Sequence, residues 1–296
     1  MKAQYLTPVV TIFKQNGSVD VEGNEKVYDF LIKGGMDGLV IMGSTGEFFA
    51  MTLAQQKQVI DTAAGYKDRT RVLIGVSRMV ISEVVELADY AYAKGLKEVM
   101  VVSPYYFRFT EKALEAYYDQ IASAVKSDII LYNFPDRTAH DLTPELVLRL
   151  ARKHKNIIGI KDTVTEMGHT SAILRTVLPE FPNFQVYSGF DDNLVHNVMS
   201  GGCGCIGGLS NLMPEKCAAW TRAINDGDVA KMAEGQRFFN DAMALYDIGV
   251  PFIPTVKRAM RIAGLDISEA CTAPMLLLND TQDKTLRALM EKLGIL

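Results

Sequence analysis

Charge of one sign never accumulates in this chain. Its 296 residues carry 31 Lys and Arg against 35 Asp and Glu, a formal net charge of −4. No basic run offers the stripe that nucleic acid or an anionic membrane requires, so small molecules are the expected partners. Long apolar runs are missing too, and none approaches membrane-spanning length. The opening Met1-Lys2-Ala3-Gln4-Tyr5 lacks the apolar stretch of a secretory signal, and a cytoplasmic protein is expected. Cysteine is scarce: Cys203, Cys205, Cys217 and Cys271 are too few for a disulfide scaffold in so long a chain. The Cys203/Cys205 pair lacks metal-ligand spacing and a partner pair, which leaves buried free thiols as the expectation. The four histidines, His140, His154, His169 and His196, are scattered, with no i, i+4 pairing and no His-Glu-x-x-His pattern. Neither a metal nor a cofactor is expected.

What the chain does have is a repeated sentence of short apolar run, loop and helix. Strand-like runs occupy Leu6 to Phe13, Leu39 to Met42, Val72 to Gly75, Glu98 to Val102, Ile129 to Tyr132, Ile157 to Lys161, Gln185 to Tyr187 and Gly204 to Ile206. They recur every 20 to 35 residues or so, the size of one βα unit, and lack polar alternation, as parallel strands covered on both faces do. Eight such units predict an α/β fold of the (β/α)8 TIM-barrel type. A doubly wound sheet is the alternative, and the absence of Gly-x-Gly-x-x-Gly after the first strand argues against it. Residues 1–212 are assigned to the barrel. Residues 213–296 hold helical runs near Met213 to Asn225, Val229 to Tyr246, Thr255 to Ala263 and Thr281 to Leu293, with no linker composition before them. They are expected to form a C-terminal helical appendage packed on the barrel.

Barrel chemistry collects at the C-terminal strand ends. These ends present Ser44 and Thr45, Ser103 to Arg108, Tyr132 to Arg137, Lys161 to Thr163, Ser188 to Asp192 with Gly189 among them, and Gly201 to Gly208. Lys161 closes an apolar strand. Desolvation there favours a neutral amine able to attack a ketone, although a lysine snorkelling from the rim fits the position equally. Tyr132 closes the preceding strand, either as a short-range proton relay or as a core aromatic. The Gly43-Ser44-Thr45-Gly46-Glu47 turn suits a carboxylate. It lacks the Lys of a nucleotide-binding loop, and it is also a common turn composition. The glycine-rich stretch carries no basic residue, so close backbone approach is preferred there to phosphate binding. Asp191-Asp192 reads as a helix N-terminus rather than as metal ligands.

Three motifs, Gly43-Ser44-Thr45-Gly46-Glu47, Tyr132-Asn133-x-Pro135 and Gly159-Ile160-Lys161-Asp162, stand in order at the ends of strands two, five and six. In this the chain resembles the dihydrodipicolinate synthase/N-acetylneuraminate lyase family over nearly its whole length. The resemblance implies a class I aldolase or lyase in which Lys161 forms a Schiff base with pyruvate and Tyr132 transfers protons. Ser44 and Thr45 would hold the keto-acid carboxylate, and the Ile206 carbonyl would lie near the pyruvate unit. Tyr106 would complete a relay across a subunit interface, in a homotetramer built as a dimer of dimers. Arg137, Thr163 and Gly189 join the expected substrate-binding set.

The subfamily signals diverge. Gly-Ser-Thr-Gly-Glu is similar to sialic acid lyases, whereas Gly159-Ile160-Lys161-Asp162-Thr163 with Tyr132-Asn133-Phe134-Pro135 is similar to 2-keto-3-deoxy sugar-acid aldolases. Arg137 resembles the arginine with which the synthases grip aspartate semialdehyde. Phe48-Phe49 and Gly75 to Val80 depart from the synthases and put feedback inhibition by lysine in doubt. The expected reaction is reversible aldol cleavage of a 2-keto-3-deoxy sugar acid, with Asp162 and Thr163 binding substrate hydroxyls. Dihydrodipicolinate synthesis and N-acetylneuraminate cleavage are the alternatives, and a non-catalytic keto-acid or sugar-binding barrel is the alternative of another class.

Overall fold

A computed structural model describes residues 2–296. Eight parallel strands close into a barrel in sequence order: β1 (Gln4–Pro8), β2 (Gly38–Ile41), β3 (Arg71–Gly75), β4 (Glu98–Val102), β5 (Asp128–Asn133), β6 (Ile157–Asp162), β7 (Gln185–Ser188) and β8 (Gly204–Ile206). The seam pairs Gln4 with Gly204 and Leu6 with Ile206. Gly204 takes a φ of 143°, and a Cβ there would run into the Gln4 backbone, so this close seam requires glycine. Helices separate the strands and cover their outer faces. The one at Leu53–Ala64 opens on the expected capping box, with Thr52 accepting from the Gln55 N–H and the Gln55 side chain reaching back.

The first strand is shorter than its apolar run suggests. Beyond Pro8 the chain stays buried but leaves the sheet. Its backbone is satisfied by side chains instead: Val10 N–H donates to Asn211 Oδ1 at 3.1 Å and Ile12 N–H to Asn24 Oδ1 at 3.0 Å. The following helix starts only at Val21, where Asp20 caps it.

At the N-terminal end of the barrel the first residues of four strands meet in a polar plug. Arg71 donates to Glu98 at 2.9 Å and to Gln185 at 2.7 Å, and at 3.3 Å to Gln4. The Tyr187 hydroxyl, 2.6 Å from Arg71, closes the network from within. Stability thus concentrates at the end opposite the expected chemistry.

After β8 come helices Pro214–Asp226, Val229–Ala242, Ile253–Ile262 and Asp280–Lys292. The second passes into a tighter 3-10 turn over Met243–Asp247, so the predicted run to Tyr246 is one segment of two geometries. Trp220 stacks on Phe239 at 4.4 Å. Asn225 exchanges two hydrogen bonds with the Ala3 backbone. All four cysteines are free; Cys203, Cys205 and Cys217 are buried, and Cys271 is partly exposed. Among the described residues no helix is long and apolar enough to cross a membrane.

Candidate active site

Pairing of β5 with β6 sets Tyr132 directly opposite Lys161. Both side chains are almost wholly buried, at 2% and 5% exposure. The Lys161 ammonium stands 4.5 Å from the centre of the Tyr132 ring. It has no carboxylate within 4.0 Å among the described residues, a marked contrast with the chain's other buried lysine, Lys257. That residue sits 2.5 Å from Glu47 Oε1 and donates to the Ala270 carbonyl at 2.8 Å. Burial is costly for an ammonium, and Lys257 is fully compensated. Lys161 instead faces a cavity of about 400 Å³. A lysine snorkelling to bulk solvent would leave its head exposed, so the geometry favours the buried-amine reading.

Ser44, Thr45, Tyr132, Arg137, Lys161, Thr163, Gly189 and Ile206 all line this one cavity. Ser44 and Thr45 sit on a 3-10 turn between two left-handed residues, Met42 (φ 57°) and Glu47 (φ 61°). Ser44 Oγ lies 3.4 Å from the Tyr132 hydroxyl, close enough for the two oxygens to share a proton path through a bound carboxyl group. Tyr132 is backed by Phe134, whose ring lies 6.0 Å away at 26°.

Thr163 turns its hydroxyl to a buried position where it has no hydrogen-bond partner. An unpaired buried hydroxyl is unfavourable, and a substrate oxygen would satisfy it. Gly189 explains this arrangement: its N–H donates to the Asp162 carbonyl at 2.9 Å, and any Cβ would collide with Thr163. Arg137 is exposed at the mouth, its guanidinium 5.5 Å from the Phe134 ring centre and without an ion-pair partner.

Tyr106 is the expected residue that the fold does not bring to this cavity. It is 85% exposed, adopts a left-handed φ of 85° and packs edge-on against Phe107. Asp162 also departs from expectation. Rather than meeting substrate, its carboxylate accepts from Asn133 Nδ2 at 2.8 Å and Thr170 Oγ1 at 2.5 Å and faces His169 Nδ1 at 3.0 Å. Strand alternation accounts for the difference: Lys161 points inward, so Asp162 points into the surrounding helical layer.

Asp191 is likewise no solvated helix terminus. It is fully buried and accepts from the Tyr5 hydroxyl, from Tyr246 at 2.8 Å and from Leu209 N–H at 3.0 Å. Burial pushes its carboxyl above the ordinary carboxylate range, against the pull of those donors. Gly207 and Gly208 are packed against Asp191, Tyr5 and Tyr246, which is the close approach expected of the glycine-rich stretch. Among the described residues no group of three His, Cys, Asp or Glu side chains is placed to hold a metal.

Sequence reasoning missed the far wall. Met243, Tyr246, Asp247 and Phe252 come from beyond β8 to line the cavity, with Asp136 beside Arg137. No motif marks them; only tertiary packing brings them there. A second, apolar hollow of about 310 Å³ adjoins through Ser44, Phe134, Arg137 and Phe252 and is walled by Phe48, Phe49 and Tyr105.

Comparison with known proteins places this geometry. The sequence model of the dihydrodipicolinate synthetase family matches residues 1–293. A "probable 2-dehydro-3-deoxy-D-pentonate aldolase" of Escherichia coli K12 is 37% identical over 292 residues, covering 98% of this chain and 97% of the relative. A 4-hydroxy-tetrahydrodipicolinate synthase of Thermoanaerobacter sp. strain X514 is 31% identical, over 97% of this chain and 95% of its own. Among solved structures, YagE, a prophage protein of the dihydrodipicolinic acid synthase family from E. coli K12 crystallised with pyruvate, superposes with a TM-score of 0.96 at 34% identity. The match covers 99% of each chain.

Proposed function

The chain belongs to the dihydrodipicolinate synthetase family, and from that premise we propose that it is a class I, Schiff-base carbon–carbon lyase that cleaves a 2-keto-3-deoxy sugar acid reversibly to pyruvate and an aldehyde. The observation that carries the reading is Lys161: a buried amine with no counter-ion, facing a cavity beside an in-register phenol. In the cleavage direction its nitrogen adds to the substrate C2 carbonyl, and loss of water leaves a protonated imine. A base takes the proton of the C4 hydroxyl, the C3–C4 bond breaks and its electron pair moves into the imine, giving an enamine and free aldehyde. Protonation at C3 and hydrolysis then release pyruvate and restore the lysine. Tyr132 is assigned the proton transfers, with Ser44 3.4 Å from its hydroxyl. Thr45 and Ser44 hold the carboxylate, and Gly189 and Ile206 shape the wall around the pyruvate unit.

The choice of second substrate rests on what the mouth offers. Thr163 has an unsatisfied buried hydroxyl, and Asp136 and Asp247 add two carboxylates to the lining. Such groups accept or donate to substrate hydroxyls and repel a second carboxylate. The E. coli relative named a 2-dehydro-3-deoxy-D-pentonate aldolase agrees with that. The unpaired guanidinium of Arg137 favours a second reading, condensation of pyruvate with aspartate semialdehyde. Tyr106, exposed in the single chain, enters through a second copy in a homotetramer, where it completes the relay of a partner's site; sedimentation of the wild type should give four subunits. We place the enzyme in the cytoplasm. The division into a 1–212 barrel and a 213–296 helical region belongs to the same proposal, since the second part supplies Tyr246, Asp247 and Phe252 to the wall.

The test is to treat the protein with pyruvate and borohydride and map the product by mass spectrometry. One reduced pyruvyl group on the Lys161 peptide, absent in Lys161→Ala together with turnover, is the expected result. Labelling elsewhere, or none, refutes the mechanism.

A further inference from the structure

Glu47 is an unusual residue to find wholly buried with a left-handed backbone. It closes the turn that starts at Met42, and both ends of that turn are held in a conformation unfavourable for a side-chain-bearing residue. Such a turn persists only when its surroundings over-determine it. Here they do so from two sides. On the barrel side Thr11 Oγ1 donates to the Gly46 carbonyl at 2.8 Å. On the other, Glu47 Oε1 lies 2.5 Å from Lys257 Nζ, while Oε2 accepts from the Thr272 N–H at 2.7 Å and the Thr272 hydroxyl at 2.9 Å. Lys257 lies in the helix Ile253–Ile262 and is itself held by the Ala270 carbonyl. Phe252, immediately before that helix, lines the reaction cavity opposite Ser44 and Thr45.

A buried ion pair is a poor device for stability, because desolvation consumes most of its attraction and apolar residues of the same volume do as well. Its use lies in fixing geometry.

We infer that Glu47 and Lys257 are positioning residues: their ion pair rivets the Ser44–Thr45 turn to the C-terminal helix so that the turn is set for the carboxylate of the keto acid before it binds. This rests on the function proposed above. Neither side chain lines the cavity; both act through Ser44 and Thr45.

The experiment compares wild type with Glu47→Gln, Lys257→Met and the double variant Glu47→Gln/Lys257→Met. Steady-state kinetics are read beside the pyruvate concentration that half-saturates borohydride trapping at Lys161, and melting temperature is followed in parallel. Loss of the rivet raises both the KM for pyruvate and the half-saturating concentration roughly tenfold or more, with kcat changing less than either. The double variant recovers melting temperature relative to Lys257→Met, because no buried charge is left unpaired, yet it keeps the raised KM. A folded variant set whose KM stays within about twofold of wild type, whatever its melting temperature, overturns the inference and leaves the pair a packing feature. If Lys257→Met does not fold, Glu47→Gln and the double variant decide by the same criterion. Wild type that takes no label from pyruvate overturns the proposed chemistry itself, and the rivet with it.

Discussion

Gly189→Ala adds one methyl group, and the structure says where it goes. The new Cβ would overlap Thr163 Oγ1 outright and lie 2.6 Å from its Cβ and 2.8 Å from its Cα, where unbonded carbons keep about 3.5–4.0 Å. Turning the Thr163 side chain relieves only the first of these contacts. The ends of β6 and β7 must therefore part by roughly 0.7 Å or more, two residues from Lys161. Overpacking of this kind costs about 1–3 kcal/mol of stability. The effect on chemistry should be larger: displacement by about 1 Å of groups that align a reacting centre lowers the rate about 10²-fold. Turnover is measured by coupling pyruvate release to a lactate dehydrogenase, with urea unfolding run beside it. A second substitution, Thr163→Gly, removes the closest clashes and should restore stability while leaving turnover low, because the hydroxyl is lost. If Gly189→Ala keeps wild-type kcat/KM and stability, the packing argument for this glycine is wrong.

Further outcomes follow from the same geometry. Tyr132→Phe preserves the stack on Phe134 and removes the hydroxyl, so turnover should fall about 10²-fold or more; a rate near wild type would reduce Tyr132 to a packing aromatic. Arg137→Ala should leave cleavage of 2-keto-3-deoxygluconate within about threefold of wild type, while N-acetylneuraminate and the aspartate semialdehyde pair remain poor substrates. Dominant use of aspartate semialdehyde that this substitution abolishes would make the enzyme a dihydrodipicolinate-type synthase. For His169, burial works to lower the pKa, but the hydrogen bond and charge of Asp162 outweigh it and hold the imidazolium above the ordinary value of 6.5. Stability from a raised folded-state pKa is fully present below the unfolded value and lost as pH rises through the folded one. The melting-temperature gap between wild type and His169→Gln should therefore shrink between about pH 6 and about pH 9, and a gap that widens would contradict it.

Much of this was legible in the sequence, for reasons that also mark where legibility ends. β4 and β8 run over the predicted residues, Glu98–Val102 and Gly204–Ile206, because a short apolar run bounded by turn residues has few other ways to satisfy its backbone when buried. The run after Pro8 failed that logic. Asn24 and Asn211 supply the hydrogen bonds a strand neighbour would have given, and nothing local announces a partner some 200 residues away. Lys161, Tyr132 and the Ser44–Thr45 turn were visible because strand ends in a barrel converge by geometry. Asp162 was misplaced by treating neighbours in sequence as neighbours in space, when adjacent strand residues face opposite layers. Tyr246, Asp247 and Phe252 carried no signal, since their role depends on how a helical segment docks, and the Glu47–Lys257 pair spans a separation of 210 residues.

The barrel seam has a consequence for how the chain comes to be folded. Gln4–Leu6 belongs to the strand synthesised first, and its outer partner, Gly204–Ile206, to the strand synthesised last. Until that final strand leaves the ribosome, a growing, strongly apolar sheet carries two unsatisfied borders, each able to recruit a strand from another nascent chain. The glycine demanded at position 204 makes the last joint a tight one, so an error there would leave the sheet open rather than loosely shut. The vulnerable interval in the life of this enzyme is its own translation, and the final eighth of the barrel ends it.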